Sequence, residues 1–303
     1  MNSLLTPGGL STPAPAERLA ALRILVCGFA LVYLVVRLPH LIDVARLADD
    51  APHRFSPVGP LRVLDTAVTP TVAILVTVLT LVAGVAAVTG MWWRLSGPAF
   101  ALGVLLVLSY RNSWGQIFHT ENLLVVHLLI LAASPAADAW SLDRRVRPDR
   151  PPPGPAIRYG WPAQLMVMVV VVAYVLAGWA KIRASGIGWA GGDALANLVA
   201  HDALRKELVG DRSSPLGVAA LRHDWIFPPL ATISLLVELA APIVLLGGRV
   251  RLAWVVVAWF FHLGVLLIMG ILFPYQLLGV AFACFIAVET IPRRVRRRRI
   301  AVP

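Results

Sequence analysis

The chain has 303 residues, of which 58% are hydrophobic and 14% are charged, and its formal net charge is +11. This composition excludes an ordinary soluble domain, because a water-soluble core could not cover so much apolar surface. The positive charge does not indicate nucleic-acid binding, since much of it lies in one tail that follows an apolar segment, as in a membrane topology signal. The tail arginines are Arg293, Arg294, Arg296, Arg297, Arg298 and Arg299.

Three segments follow one another along the chain. Residues 1–17 contain prolines and no basic cluster and are predicted to be a disordered tail. Residues 18–289 hold the apolar runs of a transmembrane domain, and residues 290–303 are predicted to be a basic cytoplasmic tail. The first apolar run, Ala20–Val36, lacks the flanks of a cleavable signal peptide and is interpreted as a retained span. A proline run, Pro151–Pro155, is predicted to be an extended cytoplasmic linker.

Eight apolar runs suit helices that cross a bilayer, although three of them are short. A helix is expected for each, because backbone amides in lipid must be paired internally and nothing alternates like the strands of a barrel. The predicted fold class is an all-α integral membrane protein with a bundle of about eight transmembrane helices. The predicted spans are Arg18–Val36, Pro70–Thr89, Leu95–Tyr110, Ile117–Ser134, Pro162–Ala180, Pro228–Leu246, Leu252–Gly270 and Pro274–Val288.

The arginines between the spans predict the orientation of the chain in the cell membrane. Basic residues are enriched in cytoplasmic connections, so Arg144–Arg150, Arg249–Arg251 and the tail are assigned to the inside. Both chain ends are then cytoplasmic. The long outer loop contains Asp193–Val209, which is predicted to be a helix that is capped by Asp193 and lies flat on the outer leaflet.

Ionisable residues inside spans need a partner or a purpose, because burying them in lipid is costly. Glu238 lies about mid-span, and Pro242 removes the amide that would bond the Glu238 carbonyl, so a kink is expected there. His262 and His127 lie near the middle of their own spans, at depths where they could meet Glu238. Each of the three either takes part in a site or forms a hydrogen bond that holds two helices together. No His-Glu-x-x-His motif is present, and no metal site is predicted.

Lys181 ends the fifth predicted span at its outer edge. Tyr174, Ala177 and Gly178 precede it by seven, four and three residues and therefore lie on its side of the helix. Two of these residues are small, so room is expected beside the lysine stem. Lys181 either extends its ammonium group into the interface or is desolvated and acts as a base.

A polar and aromatic cluster precedes the fourth predicted span. His119 and Glu121 lie close in sequence to Arg111 and Trp114. The assigned topology puts this cluster on the same side as Lys181. The sequence therefore predicts a ligand pocket at the outer boundary of the membrane.

Ordered stretches of the chain resemble the signature of the membrane domain of the vitamin K-dependent γ-carboxylase, a group also called the horizontally transferred transmembrane, or HTTM, domain. The most characteristic stretch is Tyr174–Lys181, which is followed by Gly188–Gly192. Similar stretches extend from His119 to Asp143, from Leu236 to Pro242 and from Phe260 to His262. Together they extend over most of the chain in the expected order.

The resemblance implies roles for individual residues. In the carboxylase, the lysine of the matching motif is the base that deprotonates vitamin K hydroquinone, whose reaction with oxygen drives the removal of a glutamate γ-proton. The implied cofactor here is a reduced quinone, such as menaquinone or a vitamin K-like compound. The candidate catalytic residues are Lys181, His119 and His262, and the candidate ligand-binding residues are Glu238, Tyr174, Gly178 and Trp189.

Two functions stay open on the sequence. The carboxylase has a large soluble domain after its membrane helices, whereas this chain is expected to stop soon after its eighth span, so peptide carboxylation by this chain alone is not expected. The first function is a carboxylase-like or quinol-linked enzyme, with Lys181 as the base. The second is a non-catalytic membrane scaffold or subunit whose outer loop holds a partner protein. A transporter is less well supported, because no internal repeat is visible.

The predicted topology can be tested with reporter fusions. Reporters placed after Arg147 and after Arg299 should both read cytoplasmic, whereas a reporter near Asp211 should read external, because arginine-rich connections stay inside. Compartment-specific labelling of the fusions measures this. An external reading at Arg147 would contradict the eight-span arrangement.

Overall fold

The computed structural model describes residues 10–146 and 153–291. Within these ranges the chain forms α-helices, short 3₁₀-helices and loops without a β-strand, which confirms the predicted all-α class. Several predicted features lie outside the described residues: Arg147, Arg150, the first two prolines of the proline run and the arginine tail.

Eleven α-helices are present in the described ranges. The long ones are separated by turns and by three short helices, α5, α8 and α11. The bounds are α1 Ala16–Asp50, α2 Pro70–Thr89, α3 Trp93–Asn112, α4 Asn122–Ala132, α5 Leu142–Arg145, α6 Ile157–Ser185, α7 Asp193–Leu208, α8 Pro215–Ala220, α9 Phe227–Leu239, α10 Gly248–Met269 and α11 Pro274–Leu277.

Five helices of the described chain are long and apolar enough to cross a membrane: α1, α2, α3, α6 with the 3₁₀-helix after it, and α10. The predicted number of eight spans is therefore not confirmed. The fourth predicted span contains only the 11-residue helix α4. The sixth ends as an α-helix at Leu239, because Pro242 lacks an amide hydrogen and the chain continues as the 3₁₀-helix Ala241–Leu246. The eighth is broken at Gly279, whose φ is 74°.

Two other expectations are met in part. Helix α1 continues through Pro39 to Asp50, well beyond the predicted end at Val36. The helix predicted at Asp193–Val209 is present as α7, but Gly192 with a φ of 92° precedes it as the N-cap residue, in place of Asp193. Whether α7 lies flat on the membrane stays a prediction.

The described residues form two compact units. The first unit comprises the described residues from 10 to 166 together with 287–291, and the second unit comprises residues 167–286. Helix α6 therefore begins in the first unit and continues in the second.

In the first unit, consecutive helices pack against one another from α1 to α4. Glycine allows α2 and α3 to come close, because a Cβ at Gly103 would lie 2.3 Å from the Oγ1 of Thr80. The N-terminus of α3 is held by Asp143, whose carboxylate accepts hydrogen bonds from the amides of Trp92 at 2.8 Å and Trp93 at 3.0 Å. Close packing is what stabilises helix pairs in lipid, where hydrophobic burial between helices adds little.

In the second unit, α7 and α8 are fixed to the C-terminal end of α10. The buried ammonium of Lys206 donates a hydrogen bond to the Met269 carbonyl at 2.6 Å and pairs with Asp202 at 2.8 Å. Burial by itself raises the pKa of Asp202, but hydrogen bonds from Lys206 and Arg205 outweigh it and hold the pKa below its ordinary value. Ser214 adds a hydrogen bond to the Leu267 carbonyl at 2.5 Å.

A pair of glycine-to-alanine variants tests the α2–α3 packing. Gly103→Ala should lower the stability of the purified protein by about 1–3 kcal/mol, because its methyl group would overlap Thr80. Gly28→Ala is the matched control, since a Cβ there meets no atom within 4 Å, and it should raise stability by about 0.5–1 kcal/mol through helix propensity. Melting temperatures in detergent report both effects. Equal values for the two variants would refute the packing argument.

Candidate functional site

The central feature of the second unit is an ion pair between Lys181 of α6 and Glu238 of α9. The Glu238 side chain is 5% exposed and the Lys181 side chain is 20% exposed. This pairing gives Lys181 a partner within the unit; whether the lysine acts as a base, one of the two alternatives that the sequence left open, stays a prediction. Pairing allows both charges to remain among apolar helices.

Gly178 brings the two partners together. A Cβ at this position would lie 2.8 Å from the Cδ2 of Leu239 and 3.1 Å from the Cβ of Glu238. The absence of a side chain therefore lets α9 approach α6 just before Lys181. The room expected beside the lysine stem is occupied at Gly178 by Leu239 and Glu238, and a ligand-binding role for Gly178 stays a prediction.

A second polar pair lies two turns earlier on α6. The hydroxyl group of Tyr174 lies 2.7 Å from Nε2 of His262 on α10, and both side chains are buried. The ring of Trp254 packs edge-on against Tyr174 with the centroids 4.8 Å apart. Because Tyr174 precedes Lys181 by seven residues, the two lie on the same side of α6, separated by about 10 Å along its axis.

Aromatic rings connect the two polar pairs. The Nζ of Lys181 lies 5.4 Å from the ring centroid of Trp189 and 5.9 Å from that of Phe261, within the range of cation–π attraction. Phe261 also contacts the ring of His262, at a centroid distance of 5.2 Å. The indole of Trp189 is held by a hydrogen bond of 3.3 Å to the hydroxyl of Ser234. Contacts therefore link Lys181 to Glu238 and to Trp189, and Phe261 lies between Lys181 and the pair of Tyr174 with His262.

Each polar pair leaves one buried atom without a protein partner. These atoms are Oε2 of Glu238 and Nδ1 of His262. If the Tyr174 hydroxyl donates to Nε2, Nδ1 carries the ring proton and is a donor; in the other tautomer it is an acceptor. Buried polar atoms are normally hydrogen-bonded, so each of these two atoms is a candidate for a hydrogen bond to a group that the described residues do not supply.

The two other histidines of the sequence analysis belong to the first unit. His127 is fully buried, and its Nε2 lies 3.3 Å from the backbone carbonyl of Met166 on α6. His127 thus forms a hydrogen bond that joins two helices, which is one of the two interpretations that the sequence allows for this residue. A catalytic role for His119 beside Lys181 stays a prediction.

The sequence missed a buried network in the first unit. Glu121 accepts a hydrogen bond from Nη2 of Arg111 at 3.0 Å and another from the hydroxyl of Tyr33 on α1. Arg111 and Glu121 were recognised only as members of a polar cluster. Both residues lie at the ends of apolar runs, and this position was the sequence signal that could have predicted an ion pair. Tyr33 lies inside the apolar run of α1, where nothing in the sequence marks it as a partner.

The helices and these buried pairs define a polytopic all-α membrane protein with a polar site inside its second unit. The HTTM domain family matches residues 12–289, and the chain belongs to this family. The resemblance noted in the sequence is thereby confirmed at the level of the family. No curated protein and no solved structure matches the chain.

A double-mutant cycle tests the Lys181–Glu238 pair. Lys181→Met and Glu238→Leu should each destabilise the protein, because each leaves the other charge buried without its partner. The double variant should be more stable than the sum of the single losses predicts, with a coupling energy of about 0.5–3 kcal/mol. Thermal unfolding in detergent measures all four proteins. Strictly additive losses would show that the two side chains do not interact.

Proposed function

We propose that this HTTM protein binds a reduced quinone, or a similar ring compound with a hydroxyl group, and that the Lys181–Glu238 pair takes up the hydroxyl proton. The observation that carries the proposal is Oε2 of Glu238, a buried carboxylate oxygen without a partner on a residue that is already paired with a lysine. Such an oxygen is a strong acceptor for a hydroxyl donor. The rings of Trp189 and Phe261 beside Lys181 suit an aromatic ligand.

The proton balance favours the pair over an isolated base. A reduced quinone would supply an ionisable ring hydroxyl and the electrons for a reaction with oxygen. The ammonium and carboxylate groups are neutral together. Transfer of the ammonium proton to the paired oxygen of Glu238 frees the Lys181 amine, which then takes up the hydroxyl proton, so that the pair carries one positive charge. That charge lies beside the oxygen from which the proton came, and a water-poor site makes its stabilising effect large.

The remaining residues of the proposed set orient the ligand. His262, held in place by Tyr174, offers Nδ1 as a second hydrogen-bonding position. His119 is included because of the resemblance to the carboxylase motif. The proposed location is the cell membrane, with both chain ends in the cytoplasm, as the arginine distribution indicates.

A second candidate is a non-catalytic scaffold that holds a partner protein. It is favoured by large apolar residues on the surface around α7, where Leu204 is 61%, Leu208 is 77% and Trp225 is 75% exposed. Exposed apolar clusters of this kind are typical of protein or membrane interaction sites. In this case the buried polar pairs would only hold the helices together.

The variant Lys181→Arg separates the two candidates. Arginine keeps the positive charge next to Glu238 but cannot pass a proton to it, so no neutral amine forms to accept the hydroxyl proton. We expect a folded protein that still binds menaquinol and has lost quinol-dependent oxygen consumption. Oxygen-electrode assays on proteoliposomes, with quinol binding measured separately by lipid extraction and chromatography, provide the two readouts.

Arg183→Lys is the control for this experiment, because it makes the reverse exchange at an exposed position of the same helix. It should behave like the parent protein in both assays. Near-stoichiometric menaquinone in extracts of the purified parent would support the enzyme. Full oxygen consumption in Lys181→Arg would contradict the proposed base, and a parent protein without quinol binding or oxygen consumption would favour the scaffold.

A further inference from the structure

A cavity of about 110 Å³ lies in the first unit, between the last turns of α1, the first turns of α2 and the last turns of α3. Val72 and Leu106 on its wall are also exposed at the surface, at 45% and 36%, so the cavity opens outward. The wall is almost entirely aliphatic. Representative lining residues are Leu41, Val44, Val72, Val76, Leu106 and Val107.

Polar groups on the wall come from three residues. The hydroxyl of Thr77 donates to the Ala73 carbonyl at 2.9 Å, and the hydroxyl of Tyr110 donates to the Val68 carbonyl at 3.2 Å. The Nε of Arg111 is buried and has no protein partner. A buried N–H without an acceptor is unfavourable, so this donor requires a group that the protein does not supply.

The charge of Arg111 limits the chemistry of that group. Nη2 of Arg111 pairs with Glu121 at 3.0 Å, and the two side chains are only 3% and 7% exposed. The guanidinium is therefore already neutralised. A carboxylate or phosphate at Nε would leave an excess negative charge in an apolar surrounding, whereas a neutral carbonyl oxygen accepts the hydrogen bond without that cost.

We infer that the cavity holds an acyl chain of a membrane glycerolipid, whose ester carbonyl accepts a hydrogen bond from Nε of Arg111. The depth agrees, because Arg111 is the penultimate residue of α3 and lipid ester groups lie at the boundary of the hydrocarbon region. From Val72 to Thr77 the wall of α2 extends about 7.5 Å along the helix axis, in line with a chain entering beside the carbonyl.

The size of the cavity favours a chain over a ring system. Apolar cavities of about 150 Å³ take up one benzene molecule, so a smaller cavity that opens outward suits a short segment of one aliphatic chain better than the fused rings of a quinone. The lipid site is thus chemically distinct from the quinol site proposed for the second unit.

Photolabelling tests the inference directly. The protein is reconstituted in nanodiscs with a phosphatidylcholine that carries a diazirine in its acyl chain, and the adducts are mapped by mass spectrometry. Adducts should concentrate on the cavity wall of the parent protein. Ala73→Leu, which fills the cavity, should reduce them about tenfold. Ala253→Leu, at an exposed position of α10, is the matched control and should leave them unchanged.

Competition experiments test the hydrogen bond from Nε. Unlabelled ester lipid should compete about tenfold better than the ether-linked lipid without the carbonyl, and Arg111→Lys, which retains a cation for Glu121 but has no Nε, should abolish this difference. Equal competition by ester and ether lipids in the parent, equal labelling of Ala73→Leu, or stronger competition by free oleate or a quinone would each overturn the inference.

Discussion

The stabilisation of buried charge shapes much of the described structure. Among helices built from apolar residues, an ionised side chain is stabilised when a counter-charge or hydrogen bonds replace its lost hydration. Arg111 with Glu121 and Lys181 with Glu238 satisfy this requirement, and each pair joins residues from different helical segments. The pairs therefore do two things at once, because they neutralise charge and also specify which segments lie side by side.

Such pairing depends on how closely the helices approach. Side chains of ordinary size would keep α6 and α9 apart, and Gly178 removes the obstacle at the position where Glu238 has to reach Lys181. Gly103 has the same effect for α2 and α3 in the first unit. In lipid, helix association depends on packing and polar contacts more than on hydrophobic burial, so small residues next to buried charges matter more than they would in a soluble core.

The sequence predicted those features that depend on local composition. It gave the bounds of α2 as Pro70–Thr89, because a proline suits the first turn and Gly90, with a φ of 67°, ends the helix. It predicted a kink at Pro242 but not the 3₁₀-helix that follows Leu239, and it missed the break at Gly279, since hydropathy alone does not register a backbone that leaves the α-helical conformation. Average apolarity is the same for a continuous helix and for an interrupted one.

In the candidate site, too, local features could be recognised from the sequence, whereas contacts between helices could not. Lys181, Glu238 and His262 were recognised because a charge or imidazole inside an apolar run is visible in the sequence. That Lys181 pairs with Glu238, and that Tyr174 meets His262, depends on which helices become neighbours, and one sequence contains no measure of that. The room expected beside the Lys181 stem is occupied at Gly178 by α9, because a small residue in a helix lets a neighbouring helix approach as readily as it leaves space.

Unpaired buried atoms carry functional meaning only together with their surroundings. Arg23 is completely buried, and its Nη2 donates to the Trp140 carbonyl at 2.6 Å, while Nε and Nη1 have no partner. Yet a Cβ at Gly90 would lie 2.0 Å from its Nη1, so protein atoms already fill the space on that side. Arg111 borders a cavity and Glu238 lies beside a lysine flanked by aromatic rings, and these surroundings are why we propose their free atoms as positions for a ligand.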